Sequence, residues 1–188
     1  MEVGPGPLVA LVLVVLIAVV ALLYNRLVRA RARVDEAWAN VATQLQRRHD
    51  LVPELVTTVQ AYAAHERDTL AAVTDARARA LAAGAPDERA AAEDALGDAL
   101  GRLLALGEAY PDLRADARFA QLQRQLAETE DRIAFARGFA NDRVRRYHEL
   151  TGTVPTSLVA RAFRFGPARS FVVEDAAART TPPVELEH

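Results

Sequence analysis

The residues best suited to chemistry are the four histidines and the carboxylates beside them. His65-Glu66-Arg67-Asp68-Thr69 opens like a zinc-protease helix, in which two histidines four apart hold the metal on one helical face. Threonine stands where the second histidine must be, so the ligands cannot converge and the segment is not a metal site. His49-Asp50 and His148-Glu149 would each pair a base with a carboxylate that orients it. A helix break at the first and a solvated helix surface at the second account for both without chemistry. Glu128, Glu130 and Asp131 are close in sequence, but paired-carboxylate work needs a pocket that drives their pKa values apart. On an amphipathic helix such a cluster is expected on the wet face. Gly84 and Gly152 are isolated, and there is no glycine-rich phosphate loop. No catalytic, cofactor-binding or metal-ligating residue is therefore assigned, and no small-molecule substrate is evident.

Composition narrows the classes further. Net charge is −2 over 188 residues, so no global basic field marks a nucleic-acid binder. The absence of cysteine removes disulfides, thiolate metal sites and lipoprotein acylation. Ala, Leu and Arg dominate while Gly and Pro number only nine each, a usage that favours helix along most of the chain.

The element that organises the rest is Leu8 to Tyr24. Between Val3 and Asn25 there is no charge, and Leu8 to Leu23 holds only Leu, Val, Ile and Ala. At a few tenths of a kcal/mol per residue, the run favours a bilayer by roughly 4–8 kcal/mol. Its length suits a hydrocarbon core of about 30 Å, so residues 8–24 are expected to form a transmembrane helix. Four arginines follow at once, Arg26, Arg29, Arg31 and Arg33, whereas Glu2 is the only charged residue ahead of the run. Basic residues stay on the cytoplasmic side. Residues 1–7 are thus expected outside the cell, with everything after Tyr24 in the cytoplasm and Tyr24 at the interface. An acidic start does not fit a cleaved signal peptide.

Residues 25–152 carry four apolar stripes. The first runs through Leu27, Val34, Trp38, Val41 and Leu45, one helical face of a rod from Asn25 to His49. His49-Asp50-Leu51-Val52-Pro53 is expected to break it, with Asp50 capping a second helix that carries Leu55, Val59, Tyr62, Leu70 and Val73 to about Ala83. Gly84-Ala85-Pro86-Asp87 punctuates next, with Asp87 placed to cap a third helix bearing Leu96, Leu100, Leu103 and Leu104. Gly97 and Gly101 suggest close approach of a neighbouring helix, or else a dimerisation face. The fourth helix, Asp116 to Thr151 with Gly152 as its stop, shows the strongest periodicity: Phe119, Leu122, Leu126, Thr129, Ile133, Ala136, Ala140, Val144 and Tyr147. Phe135 and Phe139 widen that stripe. Short breaks between four stripes predict an all-α, antiparallel up-and-down four-helix bundle continuing from the anchor.

In that topology the fourth helix returns to the membrane. The tail of residues 153–171 then lies near the bilayer, where Leu158, Phe163 and Phe165 with Arg161 and Arg164 suit an interfacial amphipathic turn. Packing on the bundle end is the competing arrangement. Residues 172–188 have a composition that favours disorder.

The order of segments resembles one family. A single span leads into YNRLVRARARVDEAW, then QLQRRHDLVPELV, LGRLLALGEAYPDLRAD, FAQLQRQLAETEDRIAFARGFANDRV and PTSLVARAF. Together these are similar to the LemA family of bacterial membrane proteins from Leu8 to Phe171. The resemblance implies a four-helix up-and-down bundle, an extracellular amino terminus and no assigned biochemical activity. One branch of the family is implicated in magnetosome membrane formation, and some members lie beside membrane metalloprotease genes. Ala140 stands where the family usually has tyrosine and His148 where asparagine is common, which puts partner identity in doubt if those positions form a partner surface.

The functional expectation is a non-enzymatic scaffold or adaptor at the cytoplasmic face of the cell membrane, contacting lipid and one or more unidentified proteins. An accessory subunit of a membrane metalloprotease or envelope-remodelling system is the alternative, and an enzyme would require a polar cleft.

Overall fold

The computed structural model describes residues 5–168. The expectations for residues 1–4 and 169–188, among them the whole of the 172–188 stretch whose composition favours disorder, lie outside them. Among the described residues the chain is all-α: α1 (Pro5–Tyr62), α2 (Arg67–Ala82), α3 (Pro86–Ala109), α4 (Pro111–Ala115), α5 (Ala117–Gly152) and α6 (Thr156–Ala162).

The first helix departs from expectation. It does not break at His49–Pro53 but runs unbroken for 58 residues, with Pro53 inside it. Asp50 caps nothing; it lies on the exposed face and accepts from Gln46 Nε2 at 2.8 Å. Proline removes the N–H that would bond the carbonyl four residues back and costs about 3 kcal/mol in a helix interior. That carbonyl belongs to His49, and Arg77 Nε of α2 donates to it at 2.9 Å. A tertiary donor replaces the missing helical one, so the helix continues. The chain turns instead at Ala63–Glu66, between α1 and α2.

The other helix ends follow local chemistry. Asp116 precedes α5, and its Oδ1 accepts from the Phe119 N–H at 2.8 Å, a side-chain N-cap. Its Oδ2 accepts from Tyr62 Oη at 2.8 Å, which ties the end of α1 to the start of α5. Asp87 is not the cap of α3. Ala85 holds that place with Pro86 in the first turn, and Asp87 and Glu88 sit where the helix dipole favours acid. Gly152 is the last residue of α5 rather than a left-handed stop, and no described glycine has positive φ.

The lengths of these elements shape the bundle. From Asn25 to Tyr62, α1 extends about 57 Å, and α5 returns about 54 Å antiparallel to it. The α2–α3 hairpin is shorter, about 24 and 36 Å, and covers only the end far from the apolar run. There the large core forms: Val52, Leu55, Val59, Leu70, Val73, Leu96, Leu100, Leu103, Leu113, Phe119, Leu122 and Leu126 are buried together. Nearer the apolar run, the core is a seam between α1 and α5 alone, with Ala37, Val41, Leu45, Ile133 and Ala140. It is followed by Val34, Val144 and Tyr147. The four-helix cross-section is confined to the distal half of an up-and-down bundle. The seam closes where Val159 and Ala160 of α6 pack on Leu27.

Glycine placement also differs from expectation. A Cβ at Gly97 would meet only the Arg48 guanidinium, at 3.8 Å, and one at Gly101 would meet nothing within 4 Å. The close approach occurs one helical stretch later, where a Cβ on Gly107 would lie 2.7 Å from the Phe119 ring.

Candidate functional site

Three features of the molecule could serve function, and each is built by the α1–α5 frame. The first is a buried polar cluster. Arg48 and His49 on α1 and Glu93 on α3 are each no more than 3% exposed. Arg48 Nη2 donates to the Glu93 carbonyl at 3.0 Å and to its carboxylate Oε2. Arg48 Nη1 donates to both oxygens of Glu130 on α5 at 3.0 and 3.1 Å. His49 Nε2 lies 2.9 Å from Glu93 Oε1. Burial opposes ionisation of Glu93, but the hydrogen bonds from His49 and Arg48 and the Arg48 charge outweigh it and hold the carboxyl below the usual glutamate range.

His49 does find a carboxylate partner, then, though Glu93 rather than the adjacent Asp50. Glu130 turns inward to Arg48 instead of joining the wet face with Glu128 and Asp131. The cluster resembles an acid–base pair, but Arg48, His49 and Glu93 are buried, and the clefts lined by Arg26 to Thr153 and by Asn40 to Phe139 are built from other residues. Its physical effect is to fasten α1 to α3 and α5 at one register. Charge periodicity could not reveal it, because Glu93 lies 45 residues from Arg48 and among exposed acids of the same type.

The second feature is the apolar run. Leu8 to Val19 and Leu22 are exposed to their full helical circumference, and α1 is long and apolar enough to cross a membrane. Tyr24 stands at its end, with Phe163 and Phe165 edge-on at centroid distances of 4.9 and 5.6 Å. Of the tail residues, Thr156, Ser157, Val159 and Ala160 are buried against α1 and α5, Phe165 is half-buried, and Leu158 and Phe163 face out. Arg26, Arg29 and Arg33 line a cleft between α1 and α5, whereas Arg31 projects on another side, 5.7 Å from the Tyr147 ring and near Asp35.

The third is a groove of about 640 Å³ between α1 and α5, lined by Asn40, Gln44, Phe135 and Phe139. Phe135 is 77% exposed, and its ring stacks on Phe139 at 6.5 Å. Arg143 lies 4.4 Å over the Phe139 ring. Large apolar side chains presented together on a soluble surface mark interaction sites more often than singly scattered ones.

The structure places the expected core residues as follows. Leu45, Leu55, Val59, Leu100, Leu103, Phe119, Leu122, Leu126, Ile133, Val144 and Tyr147 are buried, and Trp38 is half-buried between two core clusters. Ala140 is 0% exposed, so it lies in the seam and not on any partner surface, while His148 is exposed. His65 lies in the α1–α2 turn, off any helix, and neighbouring Glu66 accepts from Tyr110 Oη at 2.9 Å. Among the described residues no cluster of three metal-ligating side chains occurs.

A bare apolar helix running without interruption into an antiparallel bundle defines a membrane-anchored helical-bundle protein. The model of the LemA family matches residues 37–186, and the chain belongs to that family. It is 27% identical over 181 residues to magnetosome protein MamQ 1 and to magnetosome protein MamQ 2 of Paramagnetospirillum magneticum. Each alignment covers 79% of this chain and 66% of the relative, so the chain spans just under two thirds of their length.

Proposed function

We propose that this protein is a non-enzymatic scaffold, with its amino terminus outside the cell and its bundle held at the cytoplasmic face of the cell membrane. The observation that carries the reading is the continuity of α1. One helix is bare and apolar over its first turns and then packs along α5 with no flexible joint between. Force and orientation pass from bilayer to bundle through a rod, which suits a protein that positions others. The arginines after Tyr24 support the inside placement. Membership in a family with magnetosome proteins among its curated relatives supports membrane association. The groove at Phe135 and Phe139 is the surface suited to a protein partner.

Two measurements test this. A reporter fused to the carboxyl end is expected to be active only in the cytoplasm; activity only outside would overturn the orientation. A photo-crosslinking residue at Phe135, in native membranes, is expected to give discrete protein adducts that the same probe at exposed Arg102 does not. A single dominant metalloprotease adduct would recast the scaffold as an accessory subunit of that protease. Equal adducts at both positions would remove the groove from the proposal.

A further inference from the structure

Five arginines converge on one cleft where α1 leaves the apolar run. Arg26, Arg29 and Arg33 follow at helical steps of three and four and so share a face of α1. Arg143 and Arg146 come from α5 on the opposite wall, around a volume of about 660 Å³. Glu149 is the one carboxylate lining it. Among the described residues none of the five is ion-paired. Arg29 Nε donates to the Asn25 carbonyl at 3.2 Å, and Arg143 lies over Phe139, but the remaining donors point at no acid. Like charges gathered this closely repel, and a bound anion would relieve the repulsion.

The depth of the cleft indicates which anion. The polar layer on one side of a bilayer is roughly 5–8 Å thick beyond the hydrocarbon. At 1.5 Å per residue, Arg26 stands about 3 Å past Tyr24 and Arg29 about 8 Å, with Arg33 at about 14 Å. The upper wall of the cleft therefore lies at headgroup level and the lower wall just beneath. Its floor includes half-buried Leu150 and buried Tyr147, which suit a lipid's glycerol and not a fully hydrated ion. Guanidinium groups match phosphate oxygens bidentately. On the opposite flank of the seam, Phe163 to Pro167 line a separate cleft in which Asp35 stands beside Arg31.

We propose that this cleft is a binding site for the phosphate headgroup of an anionic phospholipid of the inner leaflet, whose acyl chains lie along the bare face of α1. The proposal rests on α1 spanning the bilayer.

The test uses full-length protein in nanodiscs of phosphatidylcholine, with and without phosphatidylglycerol, and native mass spectrometry of the lipids it retains. Phosphatidylglycerol is expected to be retained in preference, and a fluorescent phosphatidylglycerol to bind in detergent with an affinity that the cleft sets. Arg29→Gln combined with Arg146→Gln should weaken that binding about 25-fold, roughly fivefold for each charge lost near the surface. Arg102→Gln combined with Arg124→Gln removes the same charge away from the cleft and should change it by less than about twofold. All four positions are exposed, and circular dichroism checks that both variants stay helical. Equal losses in the two variants would overturn the site in favour of diffuse charge. Inorganic phosphate competing as well as the lipid would overturn the lipid assignment in favour of a soluble anion. A chain that fails to enter nanodiscs at all would overturn the membrane span itself, a result distinct from a chain that enters and shows no lipid preference.

Discussion

Arg77 Nε donates to the carbonyl oxygen of His49 at 2.9 Å, and that carbonyl is the one Pro53 leaves without its helical donor. One contact between α2 and α1 therefore explains why a proline sits inside the longest helix of the molecule. It also sets the height at which the α2–α3 hairpin docks, next to Arg48 and His49, whose side chains reach Glu93 of α3.

Arg77→Met should destabilise the protein by about 1–3 kcal/mol, the penalty for a buried acceptor left unpaired. Pro53→Ala restores the helical N–H, so in that background the same Arg77 substitution should cost less, with a coupling of roughly 0.5–3 kcal/mol between the two. Chemical denaturation of the four proteins of the cycle in detergent measures this. Additive effects would show that the Arg77 contact does not compensate for the proline.

Removing the charge of Glu93 leaves Arg48 buried with only half-exposed Glu130 opposite. Glu93→Gln is expected to cost near the lower end of roughly 3–5 kcal/mol at neutral pH. The pH dependence has a definite sign. The folded carboxyl titrates below its unfolded value of about 4.3, so its contribution is fully present above that pH and is lost as pH falls through the folded value. The stability gap between wild type and Glu93→Gln should shrink as pH falls below about 4.3. A gap that persists unchanged through that fall would contradict the assignment.

Two glycines on one helix should respond oppositely to alanine. At Gly101 the added methyl meets open space, and the helix gains about 0.5–1 kcal/mol in propensity. At Gly107 it meets the ring of buried Phe119 at 2.7 Å, and overpacking costs typically 1–3 kcal/mol, which offsets or exceeds that gain. Thermal melts of the two variants should therefore shift in opposite directions or, at the least, differ by more than propensity allows.

Packing and partner surface also separate by mutation. Leu126→Ala empties a site 3% exposed in the distal core and should cost about 2–5 kcal/mol. Phe135→Ser changes a side chain already 77% exposed and should leave stability within about 0.5 kcal/mol while lowering crosslinking to protein partners. Comparable melting shifts for both would mean that Phe135 is covered in the native protein.

Much of this architecture was legible in order along the chain. The anchor could be read from an unbroken run of Leu, Val, Ile and Ala, because transfer into lipid depends on composition over about 20 residues and on nothing distant. The fourth stripe, from Phe119 to Tyr147, predicted α5 nearly to its ends, because spacing of three and four is a local property and Asp116 is a local cap. Pro53 misled for the same reason: its cost is local, but the donor that offsets it, Arg77, arrives from α2. The same holds for Gly101 and Gly107, which are one residue type on one helix until Phe119 is placed.

What the sequence determined by itself was the bare helix, the run of helices after it and their alternation of faces, since each follows from neighbours within a turn or two. The tertiary structure decided which carboxylate meets His49 and that α2 and α3 cover only the far half of the bundle. It also brought arginines of α1 and α5 around one cleft. These are relations between residues tens of positions apart, and the energies that select them exist only once the helices have packed.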